Sequence, residues 1–316
     1  MPQSPLSDPL TSVSAALAGL VRVARQSVVA VTGRRTAISG FLWRPGLVVT
    51  AVEGLGEGTD LSVTDAEGTS RQASLVGGDA STDVALLRVA DLAGAPVRWA
   101  GSSPDTGALA LALGAMGGDA LAASGIVARS GAVWQSMRGG RIDARIELDL
   151  RLRRAMEGGL AIGPDGAAFG MAVFGPRRTA LVIPAATVER VAGHLLQYGR
   201  VVRGYLGLGL QPVAVPGREG AAAMVMSVDP GGPGAVAGIL QGDIITGLDG
   251  APMGSVRHLV RSLGPDSVGR VITFTLRRAC ITSPNLWFIR SSLPRCSSCG
   301  GVEWPMTVWR ECFLSR

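Results

Sequence analysis

Short apolar runs separated by Gly- and Asp-bearing turns fill residues 28–184, and this punctuation restricts the fold more than any other feature. SVVAVTG, AISGFLW, GLVVTAV, LSVTDA, RQASLVG and DVALLRV make a first group; ALALALG, LAASGIVAR, AVWQSM, RIELDLRL, LAIG, AAFGMAVF and TALVIP make a second. Many short strands at such spacing predict an all-β barrel or sandwich. Helical periodicity flanks the strands. LTSVSAALAGLVRVARQ, residues 10–26, carries apolar residues at helical spacing. PAATVERVAGHLLQYGRV has Pro184 and Thr187 near its start and an apolar face of Val188, Val191, Leu195 and Leu196, which predicts a second helix. Beyond it the pattern becomes mixed, with RGYLGLGLQPV opening a compact unit that the helix SVRHLVRSL and the strand RVITFTLRR close. The expected organisation is an N-terminal segment with a short helix (1–27), a β domain (28–185), a linker helix (186–202), an αβ domain (203–278) and an atypical tail (279–316).

Composition removes several chemistries. All 30 basic residues are Arg, so no Lys is present to serve as a base. The four Cys (Cys280, Cys296, Cys299, Cys312) all fall in the tail, so the β domain holds no thiol nucleophile and needs no disulfide. The order C-x15-C-x2-C-x12-C lacks the two close pairs of a zinc ribbon. With Trp287, Trp304 and Trp309 crowded there and clean periodicity missing, the tail is expected to be disordered. The net charge of +6 comes from scattered Arg with short clusters at Arg151–Arg154 and Arg177–Arg178, without interleaved aromatics. Nucleic acid is therefore not an expected partner. No run of 18 apolar residues occurs, so no membrane insertion is expected. MPQSPLSDPLTSV lacks a basic stretch followed by an apolar core. The chain as written is expected in the cytoplasm, unless its true start lies upstream.

Specific motifs then carry a resemblance. GLVVTAVEGL (46–55), STDVALLRV (81–89), LAASGIVAR, RIELDLRLRRAMEGGLAIGPDG, LVIPAATVERV and VVRGYLGLGLQ resemble, in order, successive segments of the HtrA (DegP-like) family over roughly residues 10–278. The resemblance implies a mostly β protein, a trypsin-like double six-stranded β-barrel followed by a C-terminal α+β PDZ domain. It implies neither cofactor nor resident metal, it implies oligomers, commonly trimers, and it implies a place in the periplasm or at the inner membrane if the true start lies upstream. In that register Asp83 keeps the position of the triad Asp. Glu53 stands at the His position, Glu157 at the Ser position, and Gly158 follows it in the nucleophile loop.

Those departures matter chemically. A serine nucleophile needs a base to take its proton, usually His. The only two His are His194 and His258, one in the linker helix and one in a helix of the terminal domain. Glu157 has no hydroxyl to activate, and a carboxylate near the oxyanion pocket opposes the charge that must develop there. Ser124 and Ser130 are the alternative nucleophiles, and neither has a candidate His nearby. Three carboxylates in one cleft would raise the pKa of at least one; their expected origin is drift, with a hard-cation site and a two-carboxylate hydrolytic pair as the alternatives. The expectation is a pseudoprotease. Its alternatives are a working serine endopeptidase and a regulatory partner of an active paralogue in mixed oligomers. For the PDZ-like unit the resemblance implies capture of C-terminal or unfolded peptide segments as an added strand. Tyr205, Leu206, Gly207 and Leu208 would form the carboxylate loop, and His258, Leu259 and Ser262 would line the groove.

Overall fold

The computed structural model describes residues 9–34, 37–56, 60–201, 204–215, 221–264, 267, 270–278 and 303–308. It divides into two compact units, Met1–Val201 and Val202–Arg316.

The first unit opens with α1 (Pro9–Ala24) and a 3-10 turn, Arg25–Ser27. Six strands follow: β1 (Val28–Thr32), β2 (Ala37–Arg44), β3 (Leu47–Thr50), β4 (Leu61–Thr64), β5 (Ser70–Asp79) and β6 (Val84–Val89), with a single helical turn, α2 (Val52–Leu55), after β3. They close into an antiparallel barrel in the order β1-β2-β3-β6-β5-β4. The second barrel uses β7 (Leu109–Met116), β8 (Asp119–Gly131), β11 (Arg145–Asp149), β12 (Leu160–Ile162), β13 (Ala168–Phe174) and β14 (Ala180–Pro184), in the order β11-β14-β13-β12-β7-β8. Between β8 and β11 a short hairpin, β9 (Trp134–Gln135) with β10 (Arg141–Ile142), stands outside the barrel. The AVWQSM run, counted with the second strand group in the sequence, therefore builds an accessory hairpin. Closure leaves neither barrel a free edge.

One hydrophobic cluster runs through both barrels. Phe41, Val49 and Leu86 from the first meet Leu111, Leu113, Ile162 and Met171 from the second, with Val188, Val191 and Leu195 of α3 (Ala185–Tyr198) added. The predicted apolar face of that helix is the face it buries, apart from Leu196, which packs at the margin. Gly199, left-handed at φ 68°, ends the helix and donates its N–H to Leu195 O at 2.8 Å. Glu189 pins the helix from its polar side. Its Oε1 accepts from both Trp43 Nε1 and Trp99 Nε1, each at 2.6 Å, and Oε2 lies 3.6 Å from Arg44.

The second unit contains β15 (Leu208–Val213), β16 (Ala222–Val228), a helical turn α4 (Pro233–Val236), β17 (Ile244–Leu248), β18 (Ala251–Pro252), α5 (Val256–Ser262), β19 (Ile272–Arg277) and β20 (Glu303–Val308). The sheet order is β15-β16-β17-β19-β20, with β18 paired to β17. Residues 303–308 thus form a strand antiparallel to β19, where disorder was expected. The cysteines and the rest of the tail lie outside the described residues. Leu206, Val225, Ile239, Ile245, Leu259 and Phe274 form the core. One ion pair locks it: Arg278 donates to Asp243 Oδ1 at 2.6 Å and Oδ2 at 2.7 Å, while Oδ2 also accepts from Leu240 N–H. Asp243 is 1% exposed, so removing its partner-bearing carboxylate leaves buried donors unpaired. Asp243→Ala is expected to destabilise this unit by about 2 kcal/mol, checked by urea unfolding of the full chain followed by hydrogen exchange in residues 204–278.

Candidate active site

The three acidic residues singled out in the sequence come together in the first unit. Asp79 prepares the middle one. Its carboxylate accepts from Ser81 N–H, Ser81 Oγ and Thr82 Oγ1, a tight turn that delivers Asp83 at φ 60°, a left-handed position Asp tolerates better than bulky residues. The Asp83 carboxylate then accepts the backbone N–H of Glu53 at 2.8 Å, where α2 begins just past β3. Glu53 itself points outward; its side chain is 53% exposed and lies 3.3 Å from Arg138 of the β9–β10 hairpin. That hairpin is held against the same turn by Ser136 Oγ donating to Ser81 O.

Glu157 follows a 3-10 turn, Arg154–Met156. It is 6% exposed, and a Cβ on Gly54 would lie 3.4 Å from its Oε2, which places the carboxyl beside α2. No side chain among the described residues hydrogen-bonds or ion-pairs with it. Its backbone is fully engaged. Glu157 N–H donates to Arg154 O at 3.1 Å and Glu157 O accepts from Ser39 N–H at 2.9 Å.

The glycine pair behind Glu157 is needed for close approach. Gly158 has φ 82°, and a Cβ there would run into Ser39 O and lie 2.8 Å from both Ala51 N and Thr50 Oγ1. A Cβ on Gly159 would collide with Leu113 O. Ser39, which the sequence did not single out, ties this seam together. Its Oγ donates to Ala155 O at 2.5 Å and accepts from Ala115 N–H at 2.8 Å, while Thr50 Oγ1 donates to Ser39 O at 2.6 Å. A lone Ser inside an apolar strand was the available signal: Ser39 is 0% exposed between Ile38 and Phe41.

Burial pushes the Asp83 carboxyl up to about 7 from 3.8; the Glu53 N–H opposes this, and the charges of Glu53 and Glu157 add to it. Burial likewise raises Glu157, with Arg154 opposing and Glu53 reinforcing. The expected rise is present, and desolvation causes more of it than mutual repulsion. Among the described residues no three His, Cys, Asp or Glu side chains are grouped to hold a metal ion, so the cation reading has no geometric support. Ser124 and Ser130 both sit in the β8 ladder, opposite Leu111 and Ile146. His194 makes an edge contact with Tyr198 on its own helix.

In the second unit the 204–208 segment leads into β15. Tyr205 Oη donates to Asp229 Oδ2 at 2.6 Å, Gly207 has φ 69° and its O accepts from Asp229 N–H. No acceptor for the N–H groups of Tyr205, Leu206 or Gly207 is present among the described residues. Leu206 and Leu259 are core residues, 4% and 0% exposed. Ser262 Oγ is turned to Leu259 O. His258 lies on α5, and its side chain is outside the description. Among the described residues β15 pairs only with β16 and so presents an open edge beside α5.

Two closed antiparallel barrels with an acidic cluster at their seam, followed by an open-edged αβ unit, define a trypsin-like peptidase fold joined to a PDZ domain. The family model of the trypsin-like peptidase domain matches residues 38–171 and that of the PDZ domain residues 204–281. A probable periplasmic serine endoprotease DegP-like from Rhizobium meliloti is 30% identical over 76% of this chain and 50% of its own length. Its namesake from Bartonella henselae is 32% identical over 74% and 48%. The crystal structure of the serine endoprotease from Yersinia pestis superposes with TM-score 0.66 at 25% identity, covering 92% of this chain and 95% of that one. The chain belongs to the HtrA (DegP-like) family. It spans about half the length of the two relatives named first. Those relatives are named periplasmic, which gives no support to the cytoplasmic placement read from the first residues. No described helix is long and apolar enough to cross a membrane.

The raised Asp83 has a thermodynamic consequence. Between pH 3.8 and about 7 the folded state holds a proton that the unfolded state has released, so stability falls as pH rises through this window. Asp83→Asn, which retains an acceptor for Glu53 N–H, is expected to melt higher than the parent at pH 8 and to converge with it near pH 4. Melting curves across pH 4–8 check this, and a constant offset between the two proteins would contradict it.

Proposed function

We propose that this protein is an HtrA-type pseudoprotease, silent toward peptide bonds, that acts by binding peptides through its PDZ unit. The observation that carries the reading is Glu157. At the position of the nucleophile the side chain offers a buried carboxyl, and the backbone N–H of the same residue donates inward to Arg154 O. An acyl-transfer site needs a hydroxyl at that point and N–H donors aimed at the developing oxyanion. Asp83 supports the reading: a backbone N–H from Glu53 takes its carboxylate, where a triad would place an imidazole. Losing one triad member costs several powers of ten in rate, and here two are replaced.

The test is labelling by a fluorophosphonate serine probe. The unmodified protein is expected to stay unlabelled, and its labelling would overturn the assignment of Glu157. A Glu53→His, Glu157→Ser double variant that labels would show that these two replacements are what silences the cleft.

Peptide binding rests on the open edge of β15 and on the free amides of residues 205–207, which suit a terminal carboxylate. A fluorescein-labelled peptide ending in a free Ala-Val carboxylate is expected to bind, and its amidated form to bind at least about tenfold more weakly. Gly207→Ala, placed at a left-handed φ, is expected to weaken the free-carboxylate peptide toward the amidated level. Equal anisotropy for the two peptides would refute the carboxylate loop. Assembly into oligomers, implied by the family, is part of the same proposal.

A further inference from the structure

The open edge of the second unit is not uniform along its length, and Pro212 is the reason. In β15, Pro212 stands opposite Ala223 of β16, between the pairs Gln211–Met224 and Val213–Ala222. Opposed residues in an antiparallel ladder alternate between pairs that exchange two N–H···O bonds and pairs that exchange none. Proline has no N–H, so Pro212–Ala223 is a pair of the second kind. The main-chain groups of Gln211 and Val213 therefore turn toward β16, and those of Leu210 and Pro212 turn away from it.

The alternation carries back to the loop at the start of the strand. The register shift in this ladder falls between Gly209–Ser227 and Leu210–Val225, so the extra residue is Met226 of β16 and β15 runs on unbroken. Gly207 O accepts from Asp229 N–H at 2.8 Å, on the same side as the groups of Gln211 and Val213. Leu208, Leu210 and Pro212 are thus the positions that face the open edge. Leu208 and Leu210 each offer an N–H and a C=O there. Pro212 offers a C=O alone, and its ring carbon stands where the donor would be. Leu208 and Leu210 pack against the core of the unit, while Pro212 is exposed.

We propose that Pro212 determines how much of a peptide this edge reads, by ending the ladder after a C-terminal tail of about four residues. The proposal rests on the peptide-binding reading of the PDZ unit and sets the length of its ligand. With the terminal carboxylate on the amides of residues 205–207 and the tail antiparallel to β15, the last residue lies level with Leu208, the third-last with Leu210 and the fifth-last with Pro212. The third-last residue both donates to Leu210 O and accepts from Leu210 N–H. The carbonyl of the fifth-last residue finds no donor, and the Pro212 ring crowds it. Chain upstream of the fourth residue therefore gains little by staying extended along the sheet. A partner needs only a short free tail beyond its folded part.

Competition binding to the full-length chain tests this. Unlabelled peptides of four and eight residues, sharing the same last four and ending in a free Ala-Val carboxylate, displace the fluorescein-labelled peptide. The parent is expected to bind the two lengths within about twofold of each other. Pro212→Ala, which restores the donor, is expected to bind the eight-residue peptide about three- to tenfold more tightly than the parent does, with the four-residue peptide unchanged. A four-residue peptide N-methylated at its third-last residue cannot donate to Leu210 O and is expected to bind both proteins about tenfold more weakly. A clear preference of the parent for the longer peptide would overturn the proposal, as would the absence of a gain in Pro212→Ala or indifference to the N-methyl group. Self-association of Pro212→Ala in light scattering, with no gain in peptide affinity, would assign Pro212 to guarding a bare sheet edge and overturn it too. In each of these cases, binding that still depends on the free carboxylate leaves the PDZ reading standing. An amidated four-residue peptide that binds as well as the free acid would refute that reading and this proposal with it.

Discussion

The close approach of Gly158 to the first barrel and of Gly159 to β7 of the second is the constraint on which the seam of the first unit depends. A single carbon on either residue would strike the Ser39 or Leu113 carbonyl. Because neither is present, Gly158 lies against Ser39 and Thr50 of the first barrel, and Gly159 lies against Leu113 of the second. Ser39 N–H then reaches Glu157 O, Ser39 Oγ reaches Ala155 O, and Thr50 caps Ser39 O. Those bonds are buried and mutually dependent, so losing one would strand several polar groups. The glycine pair thus has a packing reason to stand where it does that is independent of any oxyanion role. A cleft can lose its nucleophile and its base and still need both glycines.

The barrels were legible because strand punctuation is local. Short apolar runs between turn residues survive in the sequence whatever packs against them. The αβ unit was equally plain from its alternation and turns. What the sequence hid was non-local. AVWQSM has the look of a barrel strand, yet its only pairing is a two-residue hairpin with Arg141–Ile142, so barrel closure excludes it. Ser39 and Glu189 act through partners 76 to 146 residues away, which no window of local pattern reveals. Leu206 and Leu259 were grouped with the peptide-contacting residues, but hydrophobicity alone does not say which side of a sheet a Leu faces, and both are core. The β20 strand was hidden because its pairing with β19 lies beyond the expected domain end.

Burial, more than proximity, sets the electrostatics of the cleft. Glu53, the most exposed of the three acids, contributes a backbone donor to Asp83 and an exposed ion pair with Arg138 worth little. Asp83 and Glu157 pay for desolvation instead, and each rises. A general base with a pKa near 7 is what a working hydrolase would want; among the described residues no side chain hydrogen-bonds the Asp83 carboxylate. The one hydrogen bond to that carboxylate among the described residues comes from the Glu53 main-chain amide, at the entry to α2. A titration that elsewhere would point to catalysis is accounted for here by position in the fold.

The arginines on the far side of Glu157 complete this picture. In a functioning acyl-transfer site, cationic side chains crowding the nucleophile would compete with backbone donors for the oxyanion. Here the donor at residue 157 is already turned to Arg154 O, and the side chain of Arg154 lines a neighbouring cavity. The same short turn therefore does two things at once. It keeps the Glu157 N–H bonded within the turn, and it leaves Arg154 beside Arg151, Arg153 and Arg178 along one cavity.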